Sequence, residues 1–271
     1  MTDGNSLQNR WALILGASSG MGAATALELA RNGMHIFGVH FDLRATLPNA
    51  QRVVAEIEEM GREAIFFNMN ARDAKKRAQM LDAIEERLKA DKESAYVRVM
   101  LHSLAFGTLR SYVPEIPKQA VSQAQMEMTL DVMAHSLVYW VQDMVYRQLL
   151  GWSSKVFAMT SSGSTRIWPE YGPVGCAKAA LDYHVRHLAV ELAPRGITVN
   201  AIRAGITETP ALRKIPGHEQ MLDIAAARHP SGRITTTKDV ARAIVALSDE
   251  RTAWMTGNII GVDGGEDIMA R

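Results

Sequence analysis

The chain contains 271 residues, of which 47% are hydrophobic and 22% charged, and its formal net charge at pH 7 is +1. That length fits one large α/β domain, and so balanced a charge gives no indication of nucleic acid or a membrane surface as a partner. Because the single cysteine, Cys176, excludes an internal disulfide and no apolar run approaches the roughly 18 residues of a membrane span, we expect a soluble protein of the reducing cytoplasm.

Seven short apolar runs alternate along the chain with longer segments of helical period. The runs lie at residues 11–16, 35–40, 64–69, 96–103, 155–162, 197–202 and 258–265. Continuous apolar strands separated by helices are typical of a parallel sheet that is covered on both faces. We therefore predict one α/β domain over residues 1–271, built on a single doubly wound parallel sheet of about seven strands with helices on both faces.

A glycine-rich loop follows the first run directly. In "GASSGMG" the glycines are Gly16, Gly20 and Gly22, and the next predicted helix begins inside the loop. Glycine lets the backbone turn tightly and come close to a pyrophosphate, while free N–H groups at a helix N-terminus bind the anion. This position in a βαβ unit predicts a dinucleotide phosphate site, with a purely structural turn as the alternative.

The spacing of these glycines, Gly-x3-Gly-x-Gly, resembles that of the short-chain dehydrogenase/reductase superfamily. Four further segments resemble this family in the same order: "FNMN" at 67–70, "LHSLAFG" at 101–107, "VNAIRAG" at 199–205 and "VDGG" at 262–265. The resemblance spans essentially the whole chain and implies a Rossmann-type sheet and a nicotinamide dinucleotide. The cofactor-binding residues that it implies are Gly16, Ser18, Ser19, Gly20, Met21, Gly22, His40, Arg44, Asn70, Ser103, Lys178, Gly205, Ile206 and Thr207.

The end of the second strand bears on the choice of cofactor. An acidic side chain there accepts hydrogen bonds from the ribose 2′-hydroxyl of NADH, whereas a basic one binds the 2′-phosphate of NADPH. Alignment with the family puts His40 at the strand tip and Asp42 slightly beyond the usual acidic position. We predict NADPH, with Arg44 and His40 at the 2′-phosphate. NADH stays open, and an exposed surface position for both side chains is the alternative.

The segment "YGPVGCAK", residues 171–178, carries a tyrosine and a lysine seven positions apart. Ketone-reducing members of the family have them four positions apart, and the tyrosine gives a proton to the carbonyl oxygen. Here that position is Val174, and Tyr171 comes three residues earlier. The longer spacing resembles the enoyl-acyl-carrier-protein reductases, in which hydride adds to the β-carbon of a 2-enoyl thioester and charge develops on a more distant oxygen. The resemblance implies that Tyr171 and Lys178 are catalytic.

A serine near this segment supports the same subfamily. "TSSGSTRIWPEY", residues 160–171, resembles the NADPH-dependent enoyl reductases of some bacilli, with Ser161 ten residues before Tyr171. We predict Ser161 as a third catalytic residue that hydrogen-bonds substrate or Tyr171, and the alternative is that it caps the end of the strand. Asp131 stands where the ketone-reducing branch usually has asparagine.

A long irregular region at 203–233 follows the sixth strand. Loops at the carboxyl ends of parallel strands border the ligand crevice, so it predicts a substrate lid at about 206–232. Its segment "TPALRKIPG", 209–217, resembles the lid of enoyl reductases, and its Arg213 and Lys214 either attract an acidic acyl carrier protein or form a solvated face. The substrate-binding residues that the resemblance implies are Ala105, Phe106, Tyr171, Ala211 and Ile215.

Cysteine and histidine are given structural interpretations. Cys176 has apolar neighbours, and we expect a small packed residue rather than a nucleophile. His102, His135 and His184 do not have metal-ligand spacing with cysteines or carboxylates, so we predict structural or surface roles for them and no metal.

The resemblance implies a homotetrameric, cytoplasmic enoyl-acyl-carrier-protein reductase of fatty-acid elongation. Tyr171 stabilises the enolate oxygen, and Lys178 binds the nicotinamide ribose and helps to orient Tyr171. The substrate is a 2-enoyl thioester of acyl carrier protein or coenzyme A, and the tetramer rests on family analogy. Two alternatives stay open: a carbonyl reductase or alcohol dehydrogenase that uses Ser161 with Tyr171, and a non-catalytic dinucleotide-binding protein.

Overall fold

The sheet predicted from the apolar runs is present in the fold. A computed structural model describes residues 6–91 and 95–269. Its strands are β1 (Trp11–Leu15), β2 (His35–His40), β3 (Ala64–Asn68), β4 (Val97–His102), β5 (Lys155–Thr160), β6 (Thr198–Ala204) and β7 (Ile259–Val262). They form one parallel sheet in the order β3-β2-β1-β4-β5-β6-β7, which confirms the predicted α/β class and doubly wound topology.

Helices connect the strands and cover both faces of the sheet. They are α1 (Gly20–Arg31), α2 (Leu47–Glu59), α3 (Ala74–Lys89), α4 (Gln123–Leu130), α5 (Ser136–Tyr146), α6 (Gly172–Leu192), α7 (His218–Arg228) and α8 (Thr237–Leu247), with a π-helical segment at Asp131–His135. Helices α4 and α8 each begin with a capping box. In these boxes the side chains of Ser122 and Thr236 accept hydrogen bonds from the backbone N–H groups three residues later.

Two apolar cores lie on opposite faces of the sheet. One contains buried side chains of α3, α5 and α6, such as Leu81, Trp140 and Val185. The other contains side chains of α1, α2 and α8, such as Leu29 and Ile244. Strand β1 is buried at every position, which explains why its sequence is continuously apolar rather than alternating.

Two expectations from the sequence were wrong. The region 203–233 is not irregular throughout, since α7 lies within it; Ala225 is the one residue of α7 that is buried, so the helix has almost no apolar period to detect. Cys176 is exposed rather than packed. It lies on the outer side of α6, while Val174 and Ala177 on either side of it in sequence face the core.

The histidines have neighbours of their own within the part of the chain that the structure describes. His102 Nε2 lies 2.8 Å from Ser136 Oγ, and His135 Nδ1 lies 3.0 Å from His184 Nε2. Across residues 6–91 and 95–269, no three or more histidine, cysteine or carboxylate side chains are grouped to hold a metal ion. Over the same ranges, no helix is long and apolar enough to cross a bilayer.

Candidate active site

The predicted site residues lie at the carboxyl edge of the sheet. Strands β1 and β4 are neighbours in the sheet although they are not consecutive in sequence, so the direction of chain progression reverses between them. In sheets of this kind, ligands bind in the crevice outside the carboxyl ends of the strands at that point. The loops that follow β1, β4, β5 and β6 open into this crevice and carry most of the predicted residues.

Only glycine fits at two positions of the loop after β1. Gly16 has a φ of +92°, and a Cβ there would overlap the backbone carbonyl of Ser103. A Cβ on Gly22 would overlap the carbonyl oxygen of Gly16. Ser19, the N-cap of α1, makes no side-chain cap bond, so N–H groups of the first turn stay available to an anion. The loop therefore fits a dinucleotide pyrophosphate.

Two more predicted cofactor residues flank this loop. Ser103 follows β4, and its N–H donates to the carbonyl oxygen of Leu15 at 2.9 Å, which extends the sheet toward the loop. Asn70 lies two residues beyond the end of β3, where its Oδ1 accepts a hydrogen bond from the N–H of Arg72 at 3.1 Å. Both residues are half-buried at the crevice edge.

A carboxylate stands between the end of β2 and the glycine loop. His40 Nδ1 lies 2.9 Å from Asp42 Oδ2. Burial raises the pKa of Asp42, but hydrogen bonds from Thr46, Ser18 and His40 outweigh it and lower that pKa. Because Ser18 belongs to the glycine loop, the Asp42 carboxylate lies beside the phosphate site. Arg44 is exposed.

The segment after β6 lies over the glycine loop. A Cβ built on Gly20 would be 3.6 Å from Thr209 Cγ2. Between β6 and Thr209, the Thr207 hydroxyl donates to the carbonyl oxygen of Gly205 at 2.9 Å. The structure thus brings the segment that begins at Gly205 against the glycine loop at Thr209.

Tyr171 is the N-cap of α6, and its hydroxyl meets Ser161. The two oxygens are 3.4 Å apart, and Ser161 Oγ also accepts a hydrogen bond from the N–H of Gly163 at 3.3 Å. A Cβ on Gly163 would overlap the Tyr171 ring, so glycine is required where the ring rests against the backbone. Burial raises the pKa of Tyr171, which outweighs the opposing bond from Ser161 and keeps the phenol a hydrogen-bond donor at neutral pH.

Lys178 lies two turns further along α6 and is buried. Its Nζ donates to the carbonyl oxygen of Met159 at 2.6 Å, near the end of β5. Burial lowers the pKa of Lys178 to about 8, so the ammonium is still mostly charged at pH 7. Nearby, burial and the charge of Lys178 lower the pKa of His102 to about 3, and this imidazole is therefore neutral.

Val174, at the usual ketone-reducing position, belongs to the core. It is 5% exposed and packs in the same apolar cluster as Leu181 and Val185 of α6. A Cβ on Gly107, in the loop after β4, would lie 3.0 Å from Val174 Cγ2. No phenol could occupy this place without repacking that loop.

The predicted substrate residues come from two sides of the crevice. Ala105 and Phe106 are exposed in the loop after β4, whereas Ala211 and Ile215 are half-buried in the lid. Apart from the Tyr171 hydroxyl these side chains are apolar, a chemistry that suits an acyl chain better than a charged substrate.

Sequence reasoning missed two aromatic residues of the crevice. A Cβ on Gly172 would lie 2.7 Å from Cζ of Tyr112, so that ring packs on the first residue of α6, next to Tyr171. Trp168 Nε1 donates to the carbonyl oxygen of Pro216 at 3.2 Å, which joins the loop before Tyr171 to the lid. Neither belongs to a spacing motif; an aromatic residue in a loop after a parallel strand is the one signal that could have indicated them.

The chain is similar to known oxidoreductases over nearly its whole length. The family model described as "Enoyl-(Acyl carrier protein) reductase" matches residues 16–266. A 1-cyclohexenylcarbonyl-CoA reductase of Streptomyces collinus is 29% identical over 264 residues, covering 95% of this chain and 87% of the relative. A cyclohexanol dehydrogenase of Rhodococcus sp. strain TK6 is 30% identical over 281 residues, covering 98% of each chain.

Solved structures share the fold. The enoyl-(acyl-carrier-protein) reductase of Anaplasma phagocytophilum in complex with NAD superposes with a TM-score of 0.82 at 20% identity, covering 98% of this chain and 94% of that one. Other solved structures of the same fold hold NADP. These likenesses show that the chain shares their fold.

Proposed function

Because the chain belongs to the short-chain dehydrogenase/reductase superfamily, close to its enoyl-acyl-carrier-protein reductases, we propose that this oxidoreductase reduces 2-enoyl thioesters, as in fatty-acid elongation. The observation that carries the proposal is the position of Tyr171 at the N-cap of α6, with Val174 buried where a ketone-reducing tyrosine would stand. The name of the Streptomyces relative supports a thioester of an unsaturated acid.

The site residues suit the charge that conjugate reduction develops. A bound nicotinamide dinucleotide would supply the hydride for the β-carbon. Negative charge then develops on the thioester carbonyl oxygen, to which the Tyr171 hydroxyl donates a hydrogen bond. Lys178 would hold the nicotinamide ribose and adds positive charge to the pocket, while Ser161 orients the phenol. The α-carbon takes its proton from solvent.

We propose NADH as the preferred dinucleotide, in place of the NADPH that the sequence predicted. The Asp42 carboxylate is negative at neutral pH and hydrogen-bonded to the glycine loop through Ser18. There it would accept hydrogen bonds from a ribose 2′-hydroxyl and repel a 2′-phosphate. The imidazole of His40 already pairs with the Asp42 carboxylate.

The ratio of kcat/KM for NADH to that for NADPH tests this preference. We expect a ratio above one for the wild type and a lower ratio for Asp42→Ala. A wild type that prefers NADPH, with a preference that Asp42→Ala leaves unchanged, would contradict the proposal.

The carrier of the thioester is acyl carrier protein or coenzyme A. Arg213 Nη2 lies 2.6 Å from Glu208 Oε1, so one of the two predicted lid cations is already paired. This pairing weakens the attraction of the lid for either carrier, since coenzyme A carries phosphate groups and acyl carrier protein is acidic. Turnover of one acyl chain on both carriers decides between them: the carrier with the lower KM is the substrate form that the lid accepts.

We also propose a cytoplasmic homotetramer. Large side chains are exposed on the outer sides of α5 and α6, namely Tyr139, Tyr146, Tyr183 and Val190. A second copy of the chain would remove this apolar surface from water. Light scattering of the purified protein gives its mass directly, and a monomer would contradict the assembly.

One observation favours a second candidate function, carbonyl reduction. The Ser161 and Tyr171 hydroxyl groups are within 3.4 Å of each other, as a carbonyl-protonating pair would need, and the Rhodococcus relative is named a cyclohexanol dehydrogenase. In this reaction hydride and proton go to adjacent atoms, so the carbonyl oxygen would have to lie against Tyr171 itself.

A three-substrate assay distinguishes the candidates. Purified protein with NADH or NADPH is given a trans-2-enoyl thioester, a 3-keto thioester or cyclohexanone, and loss of reduced nicotinamide is followed by absorbance. Turnover of the enoyl thioester alone supports the proposal. Turnover of the ketones alone replaces it with carbonyl reduction, and dinucleotide binding without any turnover indicates a non-catalytic protein.

A further inference from the structure

The chain forms a short turn after β7, at residues 263–267, which we name the C-terminal turn. Asp263 Oδ1 accepts a hydrogen bond from the N–H of Gly265 at 2.9 Å, and the N–H of Glu266 donates to the carbonyl oxygen of Asp263 at 3.0 Å. Gly264 has a φ of +57° and Gly265 one of +89°, which glycine adopts without strain. The turn thereby points two successive carboxylates, those of Glu266 and Asp267, back toward the crevice.

Glu266 contacts the backbone between β6 and the lid. Its Oε2 accepts a hydrogen bond from the N–H of Ile206 at 2.9 Å, and the residue is 7% exposed. A Cβ on Gly205 would overlap both this carboxylate and the hydroxyl of Thr235, so the contact requires glycine there. Burial raises the pKa of Glu266, and the bond from Ile206 opposes that shift.

The peptide group between Gly205 and Ile206 is therefore held from both sides. Glu266 accepts from its N–H, while the Thr207 hydroxyl donates to its carbonyl oxygen at 2.9 Å. Both groups of this peptide are bonded to side chains rather than to a neighbouring strand. Thr209, three residues after Ile206, lies against Gly20 of the glycine loop. Because Ile206 is three residues from that contact, a dinucleotide on the loop would bind close to this peptide.

The neighbouring carboxylate ties the turn to the loop that carries the catalytic tyrosine. Asp267 Oδ1 is 2.9 Å from Arg166 Nη2, and Asp267 Oδ2 is 3.0 Å from Arg203 Nη2. Arg166 also donates to the carbonyl oxygen of Asp267 at 2.7 Å. Since Arg166 lies between Ser161 and Tyr171, the turn links this loop to the end of β6.

We infer that Glu266 is a positioning residue for cofactor binding, which fixes the orientation of the Gly205–Ile206 peptide beside the dinucleotide. An apolar side chain could fill the same space without the penalty of burying a carboxyl group. What an apolar side chain cannot supply is an acceptor for the Ile206 N–H. The inference depends on the proposed function only in that the crevice binds a dinucleotide.

Three variants test the inference: Glu266→Gln keeps an acceptor of the same length, Glu266→Met keeps the volume without an acceptor, and Glu250→Met removes an exposed carboxylate elsewhere. Dinucleotide binding is measured by nicotinamide fluorescence without substrate, so the result does not depend on which substrate is reduced. We expect the Kd to rise about tenfold in Glu266→Met and to stay within about threefold of wild type in the other two.

Amide hydrogen exchange of peptides that cover residue 206 supplies the second measurement. Exchange should accelerate at Ile206 in Glu266→Met and stay slow in Glu266→Gln, at a temperature where thermal melts show both variants to be folded. Unchanged Kd and unchanged exchange in Glu266→Met would overturn the inference. So would an equal loss of affinity in the Gln and Met variants, because the acceptor would then not be the feature that matters.

Discussion

Strand β5 connects two buried lysines with different surroundings. Lys155 begins the strand and is 1% exposed, whereas Lys178 of α6 is 6% exposed and donates to the carbonyl oxygen of Met159 near the strand's other end. Burial lowers the pKa of both ammonium groups to about 8. A lowered lysine pKa therefore does not by itself identify a functional lysine, because burial is the largest cause of the shift at both edges.

The two edges of the sheet differ in the groups that surround the lysine ammonium. At the amino edge, Lys155 Nζ has no hydrogen-bond partner among the residues that the structure describes, and the charge of Arg98 lowers its pKa further. Arg98 in turn donates to the carbonyl oxygen of Ser248, just past α8, where the negative end of the helix dipole favours a cation. At the carboxyl edge, Lys178 has an acceptor and lies on the helix that begins after Tyr171. Position relative to the strand ends is therefore the better indicator of function.

The largest effect is expected from Lys178→Met. This variant removes the cation at the carboxyl edge while keeping an apolar stem of similar length. We expect kcat/KM for the enoyl thioester to fall by about 10³-fold, with weaker dinucleotide binding, because both ribose contact and positive charge are lost. Steady-state kinetics and fluorescence titration measure the two effects. Activity close to wild type would mean that Lys178, like Lys155, has no part in the reaction and that the active site has been assigned wrongly.

The pH dependence of the wild type sharpens this prediction. The ammonium of Lys178 loses its proton as pH rises through its pKa of about 8. We therefore expect the affinity for the dinucleotide to decline above about pH 8. Binding titrations from pH 6 to about pH 9.5 would show the decline, and flat affinity over this range would argue against a charged contact from Lys178.

Tyr171→Phe should have the next largest effect. The ring and its packing against Gly163 are retained, and only the hydrogen-bond donor for the developing oxyanion is removed. Loss of one such donor lowers kcat by about 10²- to 10³-fold. Dinucleotide affinity should be unchanged, since the phenol does not bind the cofactor in this proposal. Equal losses of kcat and of cofactor affinity would instead indicate a general disturbance of the α6 N-terminus.

Ser161→Ala should have a smaller effect. The 3.4 Å separation from the Tyr171 hydroxyl corresponds to a long and weak neutral hydrogen bond. Its removal should lower kcat by about tenfold or less. An effect as large as that of Tyr171→Phe would show that Ser161 contacts the substrate directly and would favour the carbonyl-reductase alternative.

The sequence predicted the parts of the molecule that depend on local pattern. The strands could be found because a parallel sheet covered on both faces needs continuous apolar runs, and the glycine loop because Gly16 and Gly22 have no room for a Cβ. Tyr171 and Lys178 were indicated by a spacing that resembles that of the enoyl-acyl-carrier-protein reductases. Their roles in catalysis stay predictions.

Other features depend on partners that are distant in the chain. The contact of Glu266 with Ile206 spans 60 positions, and nothing near either residue indicates it. Helix α7 buries only Ala225, so its sequence has almost no apolar period to indicate a helix. Asp42 could be seen in the sequence, but its closeness to the glycine loop depends on how the end of β2 folds toward Ser18.

Lys155→Met is the matched control for Lys178→Met, and it should leave kcat and KM unchanged because Lys155 lies at the opposite edge. Its effect should be on stability instead. Removing a buried ammonium without a hydrogen-bond partner should raise the free energy of unfolding by about 1–3 kcal/mol at pH 7. Urea unfolding of both proteins measures this difference.

The pH dependence of that difference has a definite sign. The pKa of Lys155 is about 8 in the folded protein against an ordinary 10.5, so between these values the unfolded chain binds more protons and wild-type stability rises with pH. The advantage of Lys155→Met should thus be complete below about pH 8 and disappear toward pH 10.5. Lys178 is present in both proteins, and its own titration cancels in the comparison. A variant less stable than wild type at pH 7 would mean that the Lys155 ammonium has an acceptor after all, such as a bound water. The ammonium would then stabilise the folded protein instead of destabilising it.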